Sequence, residues 1–264
     1  MTVHVPRRRF GQNFLVDTHY IDRIVAAIDP RPGDNLVEIG PGLAALTALL
    51  IERAGSIAAV EIDRDLAARL RERFPAEALR LHEADALGFD FRTLGPALRV
   101  VGNLPYNISS PLLFRLADYA GQVRDAHVML QREVVARMTA SPGTADYGRL
   151  SVMLQIRFAI TRLFTVPAGA FRPAPKVESA VARLVPLRDD VPAIADFGLF
   201  QRIVMAAFGQ RRKTLRNALS GIATPAQLEA AGIAPGARGE TLAVADFVRL
   251  ANQLAASAGQ TAQS

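Results

Sequence analysis

The tetrapeptide Asn103-Leu104-Pro105-Tyr106 combines residue types that together can hold a flat base carrying an amine. The Asn103 side-chain oxygen can accept a hydrogen bond from an exocyclic amine, and Tyr106 offers a face for stacking. Pro105 fixes its own φ and restricts Leu104 to extended geometry, which makes the turn rigid. Asn and Pro are also common turn residues, so an ordinary strand exit is the alternative.

A glycine loop precedes this tetrapeptide in the chain. Residues 38–42, Glu-Ile-Gly-Pro-Gly, follow a predicted strand and precede a helix that is predicted to begin near Leu43. Glycine lets a backbone approach a ligand closely, and a helix N-terminus offers amide groups to an anion. Residues 40–45 also satisfy a loose G-x-G-x-x-A dinucleotide pattern, so a nicotinamide enzyme is one alternative.

Acidic residues follow the next two predicted strands. Glu61 ends the second strand, where a carboxylate can accept both hydroxyls of a ribose. Asp85 follows the third strand and can accept from an adenine amino group, although a turn aspartate would also suit this position. Asp63 is better explained as the cap of a helix starting at Arg64. With the short glycine loop, and without a recognisable hydride-transfer residue, these acids favour S-adenosylmethionine over a dinucleotide.

Composition narrows the function classes. The 264 residues are 50% hydrophobic and carry a formal net charge of +6, which predicts a folded protein with a polyanionic partner such as nucleic acid. The absence of cysteine excludes disulfides, thiolate metal sites and cysteine nucleophiles, and the four histidines show no ligand-like spacing, so no metal site is predicted. No signal peptide or membrane span is recognisable, so a cytoplasmic location and no membrane partner are expected.

Strand-like and helix-like segments alternate over the first part of the chain. This alternation predicts an α/β fold: a Rossmann-like, doubly wound, mostly parallel seven-stranded sheet. A short Pro-rich loop between the last two strands predicts that they are antiparallel. The predicted strands are 35–39, 57–62, 79–83, 98–101, 126–130, 158–166 and 179–187, and the predicted helices are 43–53, 64–73, 111–116 and 133–139.

The pattern changes after Pro186. Residues 189–192 resemble a linker, and the segments beyond it have helical apolar spacing, which predicts a small all-helical C-terminal domain. The predicted domains are therefore residues 1–187 and 188–264, with a disordered tail from 256 onward. The predicted C-terminal helices are 200–208, 214–219, 225–231 and 244–254.

Six motifs occur in order along the chain: GQNFL at 11–15, EIGPG at 38–42, VEID at 60–63, ADAL at 84–87, NLPYNISSPLL at 103–113 and FRPAPKVES at 171–179. Together they resemble the ribosomal RNA adenine dimethyltransferases, and within them the bacterial small-subunit branch. The resemblance implies a class I methyltransferase domain, S-adenosylmethionine as cofactor, and dimethylation of two adjacent adenines near the 3′ end of 16S rRNA.

The resemblance also implies which residues bind the cofactor. The cofactor-binding positions are Asn13, Leu15, Gly40, Glu61, Asp85 and Asn103. The first two would close over the cofactor, the glycine would contact its methionine end, the glutamate its ribose and the aspartate its adenine, while the asparagine would border both cofactor and base. Ala44 departs from the family, where glycine is frequent, and is expected to be tolerated because the helix is predicted to have begun.

The catalytic residues predicted on the same basis are Asn103, Leu104, Pro105, Tyr106 and Phe171. The Asn103 side-chain oxygen and the Leu104 carbonyl would accept the two amine hydrogens, while Tyr106 and Phe171 would hold the base between them. Without the resemblance, Phe171 would be interpreted as a core residue before a Pro-rich turn.

Basic clusters are the predicted contacts to RNA phosphates, provided that they share a face. They comprise Arg7, Arg8, Arg9, Arg211, Arg212, Lys213 and Arg216. The predicted partner is 16S rRNA within the small ribosomal subunit, and a monomer is the default expectation. The alternatives are a methyltransferase acting on large-subunit RNA or DNA adenine, and a non-catalytic RNA-binding relative.

Overall fold

A computed structural model of the chain describes residues 12–188, 193–210 and 212–261. The strands in this part are β1 (Phe14–Leu15), β2 (Leu36–Ile39), β3 (Ile57–Glu61), β4 (Leu79–Glu83), β5 (Leu98–Asn103), β6 (Val123–Gln131), β7 (Phe158–Val166), β8 (Phe171–Arg172) and β9 (Ser179–Pro186). The α-helices are α1 (Thr18–Ile28), α2 (Thr47–Ala54), α3 (Arg64–Arg73), α4 (Ser109–Asp118), α5 (Arg132–Thr139), α6 (Arg149–Gln155), α7 (Phe197–Gly209), α8 (Leu215–Ala218), α9 (Pro225–Ala230) and α10 (Val244–Thr261).

The described residues form the predicted seven-stranded sheet, in the order β4-β3-β2-β5-β6-β9-β7. The pairs from β4 to β6 are parallel, whereas β9 is antiparallel to both of its neighbours, as expected for two strands joined by a short loop. This arrangement confirms the α/β prediction. The carboxyl ends of β2 to β5 share one edge, where ligands bind in open α/β sheets.

The central strands are buried along their whole length. Every residue of β2 and β3 is buried, as expected for parallel strands that are covered on both faces. Gly102 shows how closely β2 and β5 approach each other, since an added Cβ would lie 2.5 Å from the Ile39 carbonyl oxygen. A glycine is therefore required immediately before Asn103.

Several elements were not predicted from the sequence. Strands β1 and β8 pair only with each other and contain two residues each, which is too few for a periodic pattern. Helices α1 and α6 were also not predicted. The pairing of β1 with β8 places Leu15 opposite Phe171 and so joins two sequence motifs that are far apart in the chain.

The chain divides into two compact units. One boundary lies where it was predicted, near residue 187, but the second unit also includes an earlier segment of the chain. In the described part of the chain, the first unit contains residues 12–135 and 158–186, and the second contains residues 136–157 and the described residues from 187 onward. The segment 136–157, assigned to the first domain by sequence, instead packs with the C-terminal helices. The Tyr147 ring lies edge-on to the Phe208 ring at 5.9 Å, and the Arg157 guanidinium lies 4.8 Å from the centre of the Phe197 ring. All secondary structure described in the second unit is helical.

The tail from residue 256, which was predicted to be disordered, includes the last residues of α10 in the described part of the chain. Helix α10 continues to Thr261, because its earlier turns bury Phe247, Leu250 and Ala251 and so hold the helix in place. The alanines that follow have the highest intrinsic helix propensity and allow the helix to continue. Residues 262–264 lie outside the described part.

A buried ionic network joins four elements at the end of the sheet where β5 begins. The Arg99 guanidinium donates to both carboxylate oxygens of Asp125 at 3.0 Å and to Asp34 at 2.6 Å, and all three side chains are 6% exposed. It also donates to the carbonyl oxygens of Ile28 and Asp29, which end α1. One side chain therefore connects β5, β6, α1 and the loop before β2.

We expect Arg99→Met to lower the free energy of unfolding by about 3–5 kcal/mol, because it leaves two buried carboxylates without their counter-charge. Arg124→Met is the matched control, since Arg124 also bonds Asp34, at 2.8 Å, but is 57% exposed. Its loss should stay below about 1 kcal/mol. Chemical denaturation followed by circular dichroism measures both, and equal losses would contradict a structural role for the network.

Candidate functional site

A cavity of about 300 Å³ lies at the edge where β2 to β5 end. Its wall combines the segment before α1, the glycine loop, the acids after β3 and β4, and the Asn-Leu-Pro-Tyr turn after β5. The wall residues that were predicted from the sequence to contact cofactor or base are Asn13, Leu15, Gly40, Glu61, Asp85, Asn103, Leu104, Pro105 and Tyr106. The structure thus brings together residues that are up to 93 positions apart.

The glycine loop is longer than predicted, because α2 begins at Thr47 and not near Leu43. Gly40 and Gly42 have φ angles of +68° and +56°, and a Cβ on Gly42 would lie 3.1 Å from the Phe14 ring. Ala44 has a φ of +66°, so the expected reason for its tolerance is wrong. It lies in a left-handed turn before the helix, where a glycine would avoid strain of about 1–2 kcal/mol.

Glu61 connects the glycine loop to the end of β3. Its carboxylate accepts the Gly42 N–H at 3.1 Å through one oxygen and the Asp63 N–H at 2.9 Å through the other. Burial raises the pKa of Glu61, and the two backbone donors partly oppose that rise. Each carboxylate oxygen has a second lone pair, so both can also accept a ribose hydroxyl.

No role was predicted for Glu38 from the EIGPG motif, but its position in the structure makes it a candidate functional residue. It is 2% exposed, lines the cavity, and accepts the Thr47 hydroxyl at 2.6 Å. Burial, with a smaller contribution from the nearby Glu61 charge, raises the pKa of Glu38 to about 7. Its position at a strand end before a glycine loop was the available signal.

The segment before α1 is attached to the site at several points. Gln12 Nε2 donates to Asp63 Oδ2 at 3.0 Å, and the Asn13 carbonyl accepts a hydrogen bond from Asn103. Phe14 and Leu15 are buried in the cavity wall. Asp63 also accepts the Asp65 N–H, which confirms its predicted capping of α3. Gln12 was not among the predicted site residues.

Asp85 lies on the cavity wall after β4 and is exposed. Its Oδ1 accepts the Leu87 N–H at 2.9 Å, so it serves as a turn aspartate at the same position where it was predicted to contact adenine. The second oxygen remains an acceptor for an adenine amino group. The two interpretations of Asp85 are therefore compatible.

The Asn-Leu-Pro-Tyr turn presents acceptors to the cavity. Asn103 Nδ2 donates to the Asn13 carbonyl at 2.9 Å, which assigns the amide nitrogen and leaves Oδ1 as the acceptor end. The Leu104 N–H donates to the Met129 carbonyl at 3.1 Å and fixes the next peptide against β6. Tyr106 is half-buried, and its hydroxyl lies 2.6 Å from Ser179 Oγ.

The predicted aromatic clamp by Phe171 is not present in this structure. Phe171 is completely buried in the hydrophobic core with Ile24 and Val25, and it is not part of the cavity wall. Its pairing with Leu15 through β1 and β8 directs it inward. The alternative interpretation from the sequence, a core residue before a Pro-rich turn, describes its position.

Some of the predicted RNA-binding residues can be located. Arg212, Lys213 and Arg216 are exposed in the second unit, and the last two line one surface recess with Asn217. The remaining four predicted positions, Arg7, Arg8, Arg9 and Arg211, lie outside the described residues. Among the helices of the described part, none has both the length and the apolar character needed to span a membrane.

The cavity fits S-adenosylmethionine. Its volume lies at the lower end of the range for small-molecule sites, about 300–1,000 Å³. The glycine loop leaves space for a ligand beside Gly40, because a Cβ added to this residue would meet nothing within 4 Å. The buried carboxyl groups of Glu38 and Glu61 suit a ligand that carries ribose hydroxyls and positive charge.

Comparison with known proteins agrees with this geometry. The family model described as ribosomal RNA adenine dimethylase matches residues 3–256. Ribosomal RNA small subunit methyltransferase A of Aromatoleum aromaticum is 60% identical over 256 residues, which cover 97% of each chain.

Two solved structures are also similar. A dimethyladenosine transferase from Plasmodium falciparum has a TM-score of 0.77 and 25% identity, covering 90% of this chain and 95% of its own. The 23S rRNA methyltransferase ErmE has a TM-score of 0.70 and 28% identity, covering 92% and 100%. The chain therefore belongs to the ribosomal RNA adenine dimethylase family and is an rRNA adenine dimethyltransferase that uses S-adenosylmethionine.

Proposed function

We propose that this protein dimethylates the N6 amines of two adjacent adenines near the 3′ end of 16S rRNA, within the small ribosomal subunit. The observation that supports the adenine chemistry best is the bond from Asn103 Nδ2 to the Asn13 carbonyl. It holds the carboxamide with its oxygen as the acceptor at the cavity wall. The small-subunit substrate is supported by the relative named for that subunit, at 60% identity.

The amine of adenine is a poor nucleophile, because its lone pair is delocalised into the ring. Asn103 Oδ1 and the Leu104 carbonyl oxygen accept the two amine hydrogens and favour a pyramidal nitrogen. S-adenosylmethionine would supply the electrophilic methyl group and leave as S-adenosylhomocysteine, while the amine gives up one proton to solvent for each methyl group added. The contribution of the protein is therefore positioning and electrostatics, with no covalent intermediate on a side chain.

Tyr106 gives the base a surface on which to stack. A target base must leave its own stack to reach the cavity, and stacking on an aromatic side chain returns about 1–3 kcal/mol. Two aromatic residues were predicted from the sequence to stack on the base. Since Phe171 is in the core, only Tyr106 of these two lines the cavity. Tyr106 lines the cavity three positions after Asn103, so base and amine are held by one turn.

The residues of the site also distinguish this function from the alternatives. A nicotinamide dehydrogenase is disfavoured, because the family model that matches residues 3–256 is that of the ribosomal RNA adenine dimethylases. A non-catalytic RNA-binding role is disfavoured by the intact acceptor pair. A large-subunit substrate is the remaining candidate, supported by the similarity to ErmE at 28% identity, far below that to the small-subunit relative.

To test the substrate, labelled S-adenosylmethionine should be offered with immature 30S particles, 50S particles, naked rRNA and DNA. We expect label on 30S particles, at two adjacent adenines near the 3′ end of their RNA. Asn103→Ala should lower turnover at least about hundredfold, because it removes one of the two acceptors. Its affinity for S-adenosylhomocysteine, measured by calorimetry, should stay within about tenfold.

Two results would contradict this proposal. Label confined to 50S particles or DNA would exclude the small-subunit substrate. Normal turnover by Asn103→Ala would exclude the acceptor mechanism, whatever the substrate.

We propose further that Lys213 and Arg216 bind RNA phosphates, since both are exposed and line one recess. Replacing both with Gln should weaken RNA binding, and the slope of log K against log salt should fall by about one for each phosphate that the variant no longer neutralises. Arg238→Gln is the matched control, because Arg238 is an exposed arginine of the same unit, 3.9 Å from Glu240. An unchanged salt slope in the double variant would count against this recess as a phosphate site.

A further inference from the structure

We propose that Ser179 is a positioning residue that fixes the ring of Tyr106 for the target base. This inference rests on the proposed function, in which Tyr106 stacks on that base. It assigns a role at the site to a buried serine of an antiparallel strand, a role that neither the sequence motifs nor the family membership gives it.

The contact between the two residues is direct. The Tyr106 hydroxyl and Ser179 Oγ are 2.6 Å apart, a normal distance for an O–H···O hydrogen bond. Ser179 is 0% exposed, so its hydroxyl has no solvent to replace Tyr106 as a partner. Losing the Tyr106 hydroxyl would leave the buried Ser179 hydroxyl without its partner, and losing the Ser179 hydroxyl would release the phenolic end of the Tyr106 ring.

Ser179 is itself held firmly by the sheet. It is the first residue of β9, which pairs with β6 on one side and β7 on the other. Its register partners are Gln131 and Val166. A residue with neighbouring strands on both sides offers a more fixed anchor than a residue on a loop.

Tyr106 is held at its other end by its backbone. Its carbonyl oxygen accepts the Ser109 hydroxyl at 3.0 Å, which attaches the short turn to the start of α4. The ring is therefore anchored at the main chain and at the phenolic oxygen. Two anchors along the long axis of the ring restrict where its face can lie against a base.

The bond also limits what the Tyr106 hydroxyl can do. Burial raises the pKa of Tyr106, so the phenol stays protonated at neutral pH. Its oxygen is paired with the Ser179 hydroxyl. The contribution of Tyr106 to the reaction is thus geometric, and the Ser179 bond is the source of that geometry.

Residues 171–179 therefore serve the site differently from the prediction. The predicted contribution of this segment was through Phe171, which lies in the core. The opposite end of the same segment, Ser179, reaches the cavity wall through Tyr106. The segment therefore contributes to the site by positioning the aromatic ring of another loop.

The test compares Ser179→Ala, Tyr106→Phe and the double variant. The measurements are kcat and KM on the RNA-containing substrate, and the affinity for S-adenosylhomocysteine. Each single variant should lower kcat about tenfold, as expected when a reacting group is slightly misplaced. Cofactor affinity should change less than about twofold. The double variant should lose no more than the worse single variant, because both remove the same bond.

Ser151→Ala is the matched control for loss of a buried serine. Ser151 is also 0% exposed and accepts the Gly148 N–H at 3.0 Å, but it lies in the second unit and does not line the cavity. It should lower the free energy of unfolding without changing kcat. Tyr106→Phe keeps the ring and the fold, so it tests the bond even where Ser179→Ala is unstable.

Normal kcat in both single variants, or losses that multiply in the double variant, would overturn the positioning role of Ser179. Tyr106→Ala separates this failure from failure of the proposed function. If it turns over normally, stacking on Tyr106 is itself excluded, and the positioning proposal fails with it. If it is strongly impaired while Ser179→Ala is normal, only the role of Ser179 is excluded.

Discussion

The Glu61 carboxylate joins the two strand ends on which the cofactor site depends. One oxygen accepts the Gly42 N–H in the loop after β2, and the other accepts the Asp63 N–H after β3. Neighbouring parallel strands bring these loops to the same edge, and the shared carboxylate fixes their spacing together with the bond from the Gly40 N–H to the Val60 carbonyl oxygen. The positive-φ turn at Gly42 is therefore held in a defined position before any ligand arrives, and the Phe14 ring packs against it.

The base side of the site depends on the cofactor side through the segment before α1. Gln12 is bound to Asp63, and the next residue, Asn13, orients the Asn103 carboxamide. The segment that lines the cavity thus also orients the side chain that we propose as an acceptor for the amine. Two adjacent residues, Gln12 and Asn13, therefore connect the Glu61 side of the cavity to the Asn-Leu-Pro-Tyr turn.

The sequence predicts those parts of the structure that depend only on the residues of one short segment. Strands β4 and β7 were predicted with their observed bounds, because a continuous apolar or alternating run identifies a strand without its partners. Glu61 and Asp85 were predicted from their positions after strands, and both lie in the cavity wall. The remaining features depend on distant contacts. Phe171 is in the core because two-residue strands pair across the chain, and residues 136–157 join the second unit through packing that no local pattern encodes.

The most direct test of this account is the affinity of Glu61→Gln for S-adenosylhomocysteine, measured by calorimetry. The amide keeps the size of the side chain but places a donor against a backbone N–H, so we expect affinity to fall about 10–100-fold. Glu83→Gln is the control, because Glu83 pairs with Glu61 in the sheet but bonds Arg64 and Arg71 and does not line the cavity. Its affinity should stay within about twofold of the native protein. Unchanged affinity in Glu61→Gln would contradict the central role of this carboxylate.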